Sequence, residues 1–521
     1  MVVLSGLQSY SSKIKTTVFS YSSIYLTLLL FAIIVALAAS FFVNDSVARI
    51  ATPAVLATFF INGLISSIFL VKSIMDAPFS LVQIHWIFYL TMFVLAPLSQ
   101  CLCGYSVWGY ALSANSYLVT NVLLFVWAFL FAIISSTKSN KKNNTKRTAS
   151  KDFFDSLPNI SNTAAYIAIF LAVFATVVVV LLVGVDNLFS RGDYSTGLNK
   201  TANLLFEKVV RPLPVFSFAL IFVRSKQQHR FSLLLPIAFL LVLISNFPTS
   251  MARYIFACLY GGLALLVITP LFNKKGLFPV LFLLAFLIIL PAGNAYRYHS
   301  IDIGTFFISI LDAIINIPQG FCAVDYDAYS MVARTIDYIE LYGITYGYQL
   351  LGALFFFVPR VMWTTKPEGS GNMVCEAQGQ QQLNISSPLP AEGLINFDIF
   401  GLLLFAVVLA VVCKKLDIWF IQSKSVLRLF YPFLCFLLFF MMRGDLLSSL
   451  AFTVGYTAAF FMFCIICLGI KPVIGRSFVN RRGGYSSWLA LPALCRRISC
   501  NNLLFFHKLR YSLFFGKCVQ C

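Results

Sequence analysis

The chain has 521 residues, 60% of them hydrophobic and only 11% charged, with a mean hydropathy of +0.86. That composition excludes an ordinary soluble globular domain and points to a polytopic membrane protein. The net charge of +19 is shared so unevenly between alternating loops that it reads as a topology signal, and no nucleic acid partner is inferred from it.

Twelve spans are predicted, near 24–43, 53–71, 81–103, 116–135, 164–185, 207–223, 231–248, 252–271, 277–293, 397–413, 429–443 and 446–470. The first contains Ala36-Leu37-Ala38, which mimics a signal-peptidase site. Its apolar run continues beyond that point, so it reads as a retained helix. The seventh and eighth are joined by the turn-rich pentapeptide 246–250. With the N-terminus inside, the inner loops collect 27 of the 38 basic residues and four of the 19 acidic ones. Both termini are then cytoplasmic. The expected fold is an all-α polytopic membrane protein of about 12 transmembrane helices, with a large outer loop between helices 9 and 10. Helices 1–9 occupy 1–293, the outer loop 294–396, helices 10–12 occupy 397–470, and a basic cytoplasmic tail occupies 471–521. The tail carries nine Lys or Arg and no acidic residue, which suits either adsorption to anionic lipid or a poorly ordered segment.

The outer loop holds nine acidic and four basic residues, and a loop of that length is usually functional. Its charge-free stretch Leu341–Pro359 carries Gly343, Gly347 and Gly352 and reads as a helix lying on the membrane or dipping into it. Cys322 and Cys375 could pair there or stay as two thiols. Asp325 and Asp327 form an Asp-x-Asp triplet, a weak metal signal; no metal is expected. The C-terminal Cys518 and Cys521 lack a second ligand pair for zinc.

On the outer face eight of the 11 basic residues are arginine, whereas lysine leads inside, 17 to 10. Guanidinium binds phosphate and carboxylate as a bidentate fork, which ammonium cannot reproduce. Arg49 and Arg211 are expected to be anchors. Arg253 and Arg443 cap the outer ends of long apolar runs, where an ionisable residue is a candidate site; Arg443 also has Asp445 as a possible partner. The densest polar island runs from Phe357 to Gly401 and holds Arg360, Trp363, Lys366, Gly369-Ser370-Gly371 and Glu392. Trp363 offers a flat face for a sugar ring, and the glycine-rich turn could cradle a phosphate on backbone amides. Carboxylates available as a general base are Glu392, Glu340 and Asp398; His299 is the only outer histidine.

Pro359-Arg360, Trp363 and Lys366-Pro367, then Ser386/Ser387, Glu392-Gly393, Asn396-Phe397 and Gly401, resemble the Wzy-type O-antigen polymerases, as do Ser190-Arg191-Gly192-Asp193 and Arg443-Gly444. The resemblance covers short patches within roughly half the chain. Asp398-Ile399-Phe400 before Gly401 departs from the more compact family pattern and leaves the alignment of Glu392 open. It implies a membrane glycosyltransferase in the bacterial cytoplasmic (inner) membrane. Such an enzyme polymerises undecaprenyl-diphosphate-linked oligosaccharide repeat units into O-antigen or capsular polysaccharide at the outer face, with no cofactor. The implied partners are the lipid-linked oligosaccharide, membrane lipid, and chain-length regulator and flippase proteins. On this reading Arg253, Arg360, Glu392 and Arg443 are catalytic, and Arg191, Arg297, Trp363 and Lys366 bind substrate. A lipid-linked oligosaccharide flippase or other transporter, and an O-antigen ligase, are the alternatives.

The charge division sets a topology test. Reporters fused after 145 and 490 are expected to read cytoplasmic, and one fused after 330 external. An external reading at 490 would overturn the alternation.

Overall fold

The computed structural model describes residues 50–137, 150–189, 197–272, 274–289, 308–311, 314–315, 317–380 and 385–474. The first predicted span, nearly all of the tail, and Arg49, Arg191, Arg297 and His299 lie outside them. All secondary structure among the described residues is helical.

In chain order the helices that matter here are α1 (Pro53–Asp76), α2 (Leu81–Cys103), α3 (Ala114–Ser136), α4 (Asn162–Val183), α5 (Leu213–Gln228), α6 (Leu234–Ser245), α7 (Arg253–Val267) and α8 (Leu277–Leu284). The loop then supplies α9 (Ala328–Tyr342), α10 (Tyr348–Leu354) and α11 (Ser370–Ala377), followed by α12 (Leu389–Gln422), α13 (Tyr431–Arg443) and α14 (Leu446–Leu468). Seven of the described helical segments are long and apolar enough to cross a membrane: α1–α4, α12, α14 and Val426–Arg443, which contains α13. The predicted spans at 207–223, 231–248, 252–271 and 277–293 correspond instead to shorter helices. A π-helical turn at Phe206–Val210 followed by Pro212 sets where α5 starts, and Pro248 holds the turn between α6 and α7.

Side chains start these helices. Thr52, Ser80, Ser113, Ser161 and Asp445 each accept from a backbone N–H in the first turn of α1, α2, α3, α4 and α14. Packing then sorts them. The outer helices show large apolar side chains outward, such as Phe60, Phe129 and Phe170, as lipid-facing helices do. By contrast α2 is buried along nearly its whole length, wrapped by α1, α3, α12 and α13. A buried polar chain ties it in: Tyr89 donates to Asn62 (2.8 Å), Asn62 to the Asn121 carbonyl (3.0 Å), and Asn121 to Thr58 (2.8 Å). Tyr329 of the loop joins through Asn121 Oδ1 at 3.0 Å. Away from water such bonds act as glue between helices.

The loop enters the bundle at a stretch the sequence did not single out. Ala328–Thr335, the first half of α9, is wholly buried, whereas Leu341, Tyr346, Phe357, Val361 and Met362 are exposed. The Cys322 thiol meets Cys103, not Cys375, which is buried elsewhere.

α12 is broken at Phe397 and Asp398, where Asp398 takes φ 54°. The carbonyls released by the break are taken up by the loop: Thr345 N–H reaches Ile395 O (2.8 Å), Gly347 N–H reaches Asn396 O (3.2 Å), and Asn396 Oδ1 caps Leu350 N–H (2.9 Å). The fold-back presses Gly401 onto Gly393, so a Cβ on Gly401 would lie 1.9 Å from the Gly393 carbonyl oxygen. Gly401→Ala is therefore expected to destabilise the detergent-solubilised protein by about 1–3 kcal/mol or more. Phe400→Ala, which removes an exposed ring next door, should change stability by only about 0.5 kcal/mol. Equal melting temperatures for the two variants would mean the break is not a packing constraint.

Candidate functional site

Alternate helix ends gather at two opposite ends of the bundle. One end joins the 107–110 turn, the starts of α7, α9, α11 and α14 and the end of α13. There Asp327 is a buried carboxylate with four donors. Its Oδ1 accepts from Arg443 Nη2 (2.9 Å) and Ser386 Oγ (2.8 Å), and its Oδ2 from Trp108 Nε1 (3.3 Å) and the Ser386 amide (3.5 Å). Trp108 is held with φ 53°, an unusual conformation for a bulky residue, which the surroundings must over-determine. The Trp108 carbonyl accepts from Arg334 Nη2 at 3.2 Å.

Two residues earlier, Asp325 meets Arg253 Nη1 at 2.8 Å. The Asp-x-Asp triplet thus faces a pair of arginines, one on each carboxylate. Arg253 is the first residue of α7, where the helix dipole disfavours a cation, so Asp325 supplies a reason for its presence that the helix does not. Neither guanidinium is fully used. Arg253 Nη2 and Arg443 Nε are buried with no acceptor among the described residues, although both side chains keep about 30% exposure (29% and 31%). A buried, unmatched N–H on a cation is costly without an acceptor, and an anion at this spot would supply one.

Arg443 therefore does not pair with Asp445. The Asp445 carboxylate starts α14 by accepting from Leu447 N–H (2.9 Å), and also accepts from Gly371 N–H (3.2 Å). Burial raises its carboxyl above the usual range, against the pull of these backbone donors. A Cβ on Gly369 would fall 2.3 Å from Asp445 Oδ2. The Gly369–Gly371 turn does cradle an anion, but the anion is the protein's own carboxylate and not a phosphate. Beside it Glu392, 1% exposed, accepts from Ser370 Oγ (2.8 Å) and Leu446 N–H (3.1 Å). Both of its oxygens are held, and it clasps α11, α12 and α14 together.

The Pro359–Pro367 turn forms a separate knot. Lys366 is buried and donates to the carbonyls of Phe355 (3.1 Å), Phe356 (2.8 Å) and Val358 (3.0 Å) just beyond α10. All three ammonium protons are engaged, which leaves none for a substrate in this conformation. Burial, and then the Arg360 charge, pull its pKa down. Arg360 is exposed and closes the turn on the Lys366 and Pro367 carbonyls. Trp363 stands half-buried with its indole N–H on Thr365 Oγ1 (3.2 Å) and its ring edge-on to Tyr348. No ion pair or hydrogen bond among the described residues joins this knot to Arg253 or Arg443. Arg211, buried, pairs with Glu207 at 3.0 Å.

Sequence reasoning missed Lys208. It is buried, lies 4.5 Å over the Phe452 ring, and packs on Gly455. Phe452 in turn packs edge-on to Tyr254, which stacks on Phe440. The available signal was a lysine just inside a predicted span at 207–223. No family model, curated protein or solved structure matches this chain, so the site is read from its own residues.

The Asp327–Arg443 pair is testable as a coupling. Asp327→Ala strands a buried arginine donor and should cost about 3 kcal/mol of stability. The double variant Asp327→Ala/Arg443→Met should lose less than the sum of the single losses. Strictly additive losses in detergent melts would show the 2.9 Å contact carries no coupling.

Proposed function

We propose that this chain is an integral-membrane glycosyltransferase of the repeat-unit polymerase type. It would transfer a glycan carried on a lipid diphosphate to an incoming lipid-linked repeat unit at the outer face of the bacterial cytoplasmic membrane. The twelve-span topology with both termini inside belongs to this reading. The observation that carries it is the convergence of Arg253 and Arg443 on the Asp325–Asp327 segment, each with a buried N–H left unmatched. Two such guanidinium groups suit a departing diphosphate, whose charge needs preorganised donors where little water screens it. The diphosphate leaving group supplies the driving force, so no nucleotide is required.

The roles shift from those expected. Arg253 and Arg443 hold the diphosphate. Glu392, closed off from solvent, positions the start of α12 rather than meeting an acceptor hydroxyl. Asp325, partly exposed and oriented by Arg253, is the carboxylate best placed to accept the hydroxyl proton. Arg360 and Trp363, at the exposed turn, suit contacts to sugars of the growing chain. A transporter would be expected to place charged groups near the middle of the bundle, whereas the arginines here stand at helix ends.

The test is glycan length in cells carrying single variants at wild-type protein level. Arg253→Lys, Arg443→Lys and Asp325→Asn should each slow polymerisation about 10²–10³-fold and leave single-repeat glycan. Glu392→Gln should lower protein stability more than the rate per folded molecule. Long chains from both lysine variants would reduce these arginines to anchors, and complete loss of even single-repeat glycan would favour a transporter.

A further inference from the structure

The other end of the bundle holds a cavity of about 630 Å³ that the proposed chemistry does not use. It opens among the ends of α1, α3 and α12 and the start of α2. Lys72, Lys275, Lys414 and Arg428 line it against two carboxylates, Asp76 and Asp417. The carboxylate of Asp417 is already committed. It starts α2 through Leu81 N–H (2.9 Å) and Val82 N–H (3.4 Å) and accepts from the Tyr431 hydroxyl. Lys414 closes the end of α3 on the Ile134 carbonyl (3.3 Å) and Thr137. Lys275 reaches the Met75 carbonyl at 2.6 Å with one of its protons.

Arg428 decides the character of the pocket. The residue is 7% exposed, with its guanidinium over Phe153 (4.9 Å) and Phe420 (5.2 Å). Nη1 donates to Ser156 Oγ at 2.8 Å, while Nε is buried without an acceptor among the described residues. Lys72 stands exposed at the rim with its ammonium 5.5 Å from the Phe69 ring and, among the described residues, no carboxylate in ion-pair contact. The cavity therefore offers unmatched positive charge on one side. On the other it offers an apolar wall that includes the partly exposed rings of Phe69 and Phe420 with Ile421. A small soluble anion would satisfy the first and leave the second bare. Both are satisfied by an amphiphile whose phosphate sits among the cations while its chain lies along the rings.

The geometry points to a binding site for one anionic phospholipid headgroup at the lysine-rich end of the bundle, with Arg428, Lys72 and Lys275 holding the phosphate. The site lies at helix-end depth, where the polar headgroups of a bilayer lie. It does not rest on the polymerase reading, since it is at the opposite end from Arg253 and Arg443.

The test uses the full chain purified in neutral detergent. It is titrated with dioleoylphosphatidylglycerol, dioleoylphosphatidylcholine or inorganic phosphate, and followed by melting temperature and native mass spectrometry. Phosphatidylglycerol is expected to raise the melting temperature and remain bound as one copy, while the other two do neither. The rim variant Lys72→Gln/Lys275→Gln removes two exposed ammonium groups without touching the core, and should weaken phosphatidylglycerol retention roughly thirty-fold. Unchanged retention in that variant would overturn the proposal. So would equal protection by phosphatidylcholine, which needs only a hydrocarbon groove, or by inorganic phosphate, which would assign the site to a soluble phosphate compound.

Discussion

Everything at the arginine-bearing end depends on one buried carboxylate. Asp327 gathers donors from Arg443, Ser386 and Trp108, and so ties α13, the segment before α12 and the α2–α3 turn to the loop. A carboxylate at 1% exposure is tolerable only when its charge and lone pairs are matched. That requirement, more than apolar packing, fixes where the first half of α9 enters the bundle. Once it is there, Asp325 falls within reach of Arg253, and Arg253 and Arg443 are both held on one short segment.

The sequence made the helical membrane class of the fold legible and singled out these arginines as candidates, and left their arrangement obscure. Periodicity and charge division are local properties, readable in a window of twenty residues. The pairs that build the site join residues 72 and 116 positions apart, and nothing in either window names the other. The same limit explains the misassigned partners. Asp445 is two residues from Arg443 and was the obvious candidate, but its carboxylate is taken by backbone amides of α11 and α14. Gly369-Ser370-Gly371 had the composition of an anion cradle, and is one; composition cannot say whose anion. Ala328–Thr335 carries Arg334 and Asp327 nearby and reads as surface, because a stretch with charges becomes burial-competent only through partners elsewhere. Arg334 finds them in Gln378, the Val107 and Trp108 carbonyls, and the Tyr110 ring.

Lysine and arginine also divide labour in a way their shared charge conceals. Lys275, Lys366 and Lys414 donate to carbonyls at or just beyond the ends of α1, α10 and α3. A compact ammonium with rotating protons can collect several such acceptors at once. Arg253, Arg334, Arg428 and Arg443 instead lie where flat, branched groups bridge carboxylates, carbonyls or rings.

The wide spacing of the Asp327 pair bears on how the protein is made. A chain that emerges from its N-terminus presents Asp327 well before Arg443 has been synthesised. Until then the carboxylate lacks its counter-charge, and burying α9 would strand an ion in an apolar bundle. The loop must therefore stay in contact with water while α12 and α13 enter the membrane, and dock only as the last two helices arrive. Biogenesis would then run from the scaffold helices to the Asp327-bearing end, which is assembled last.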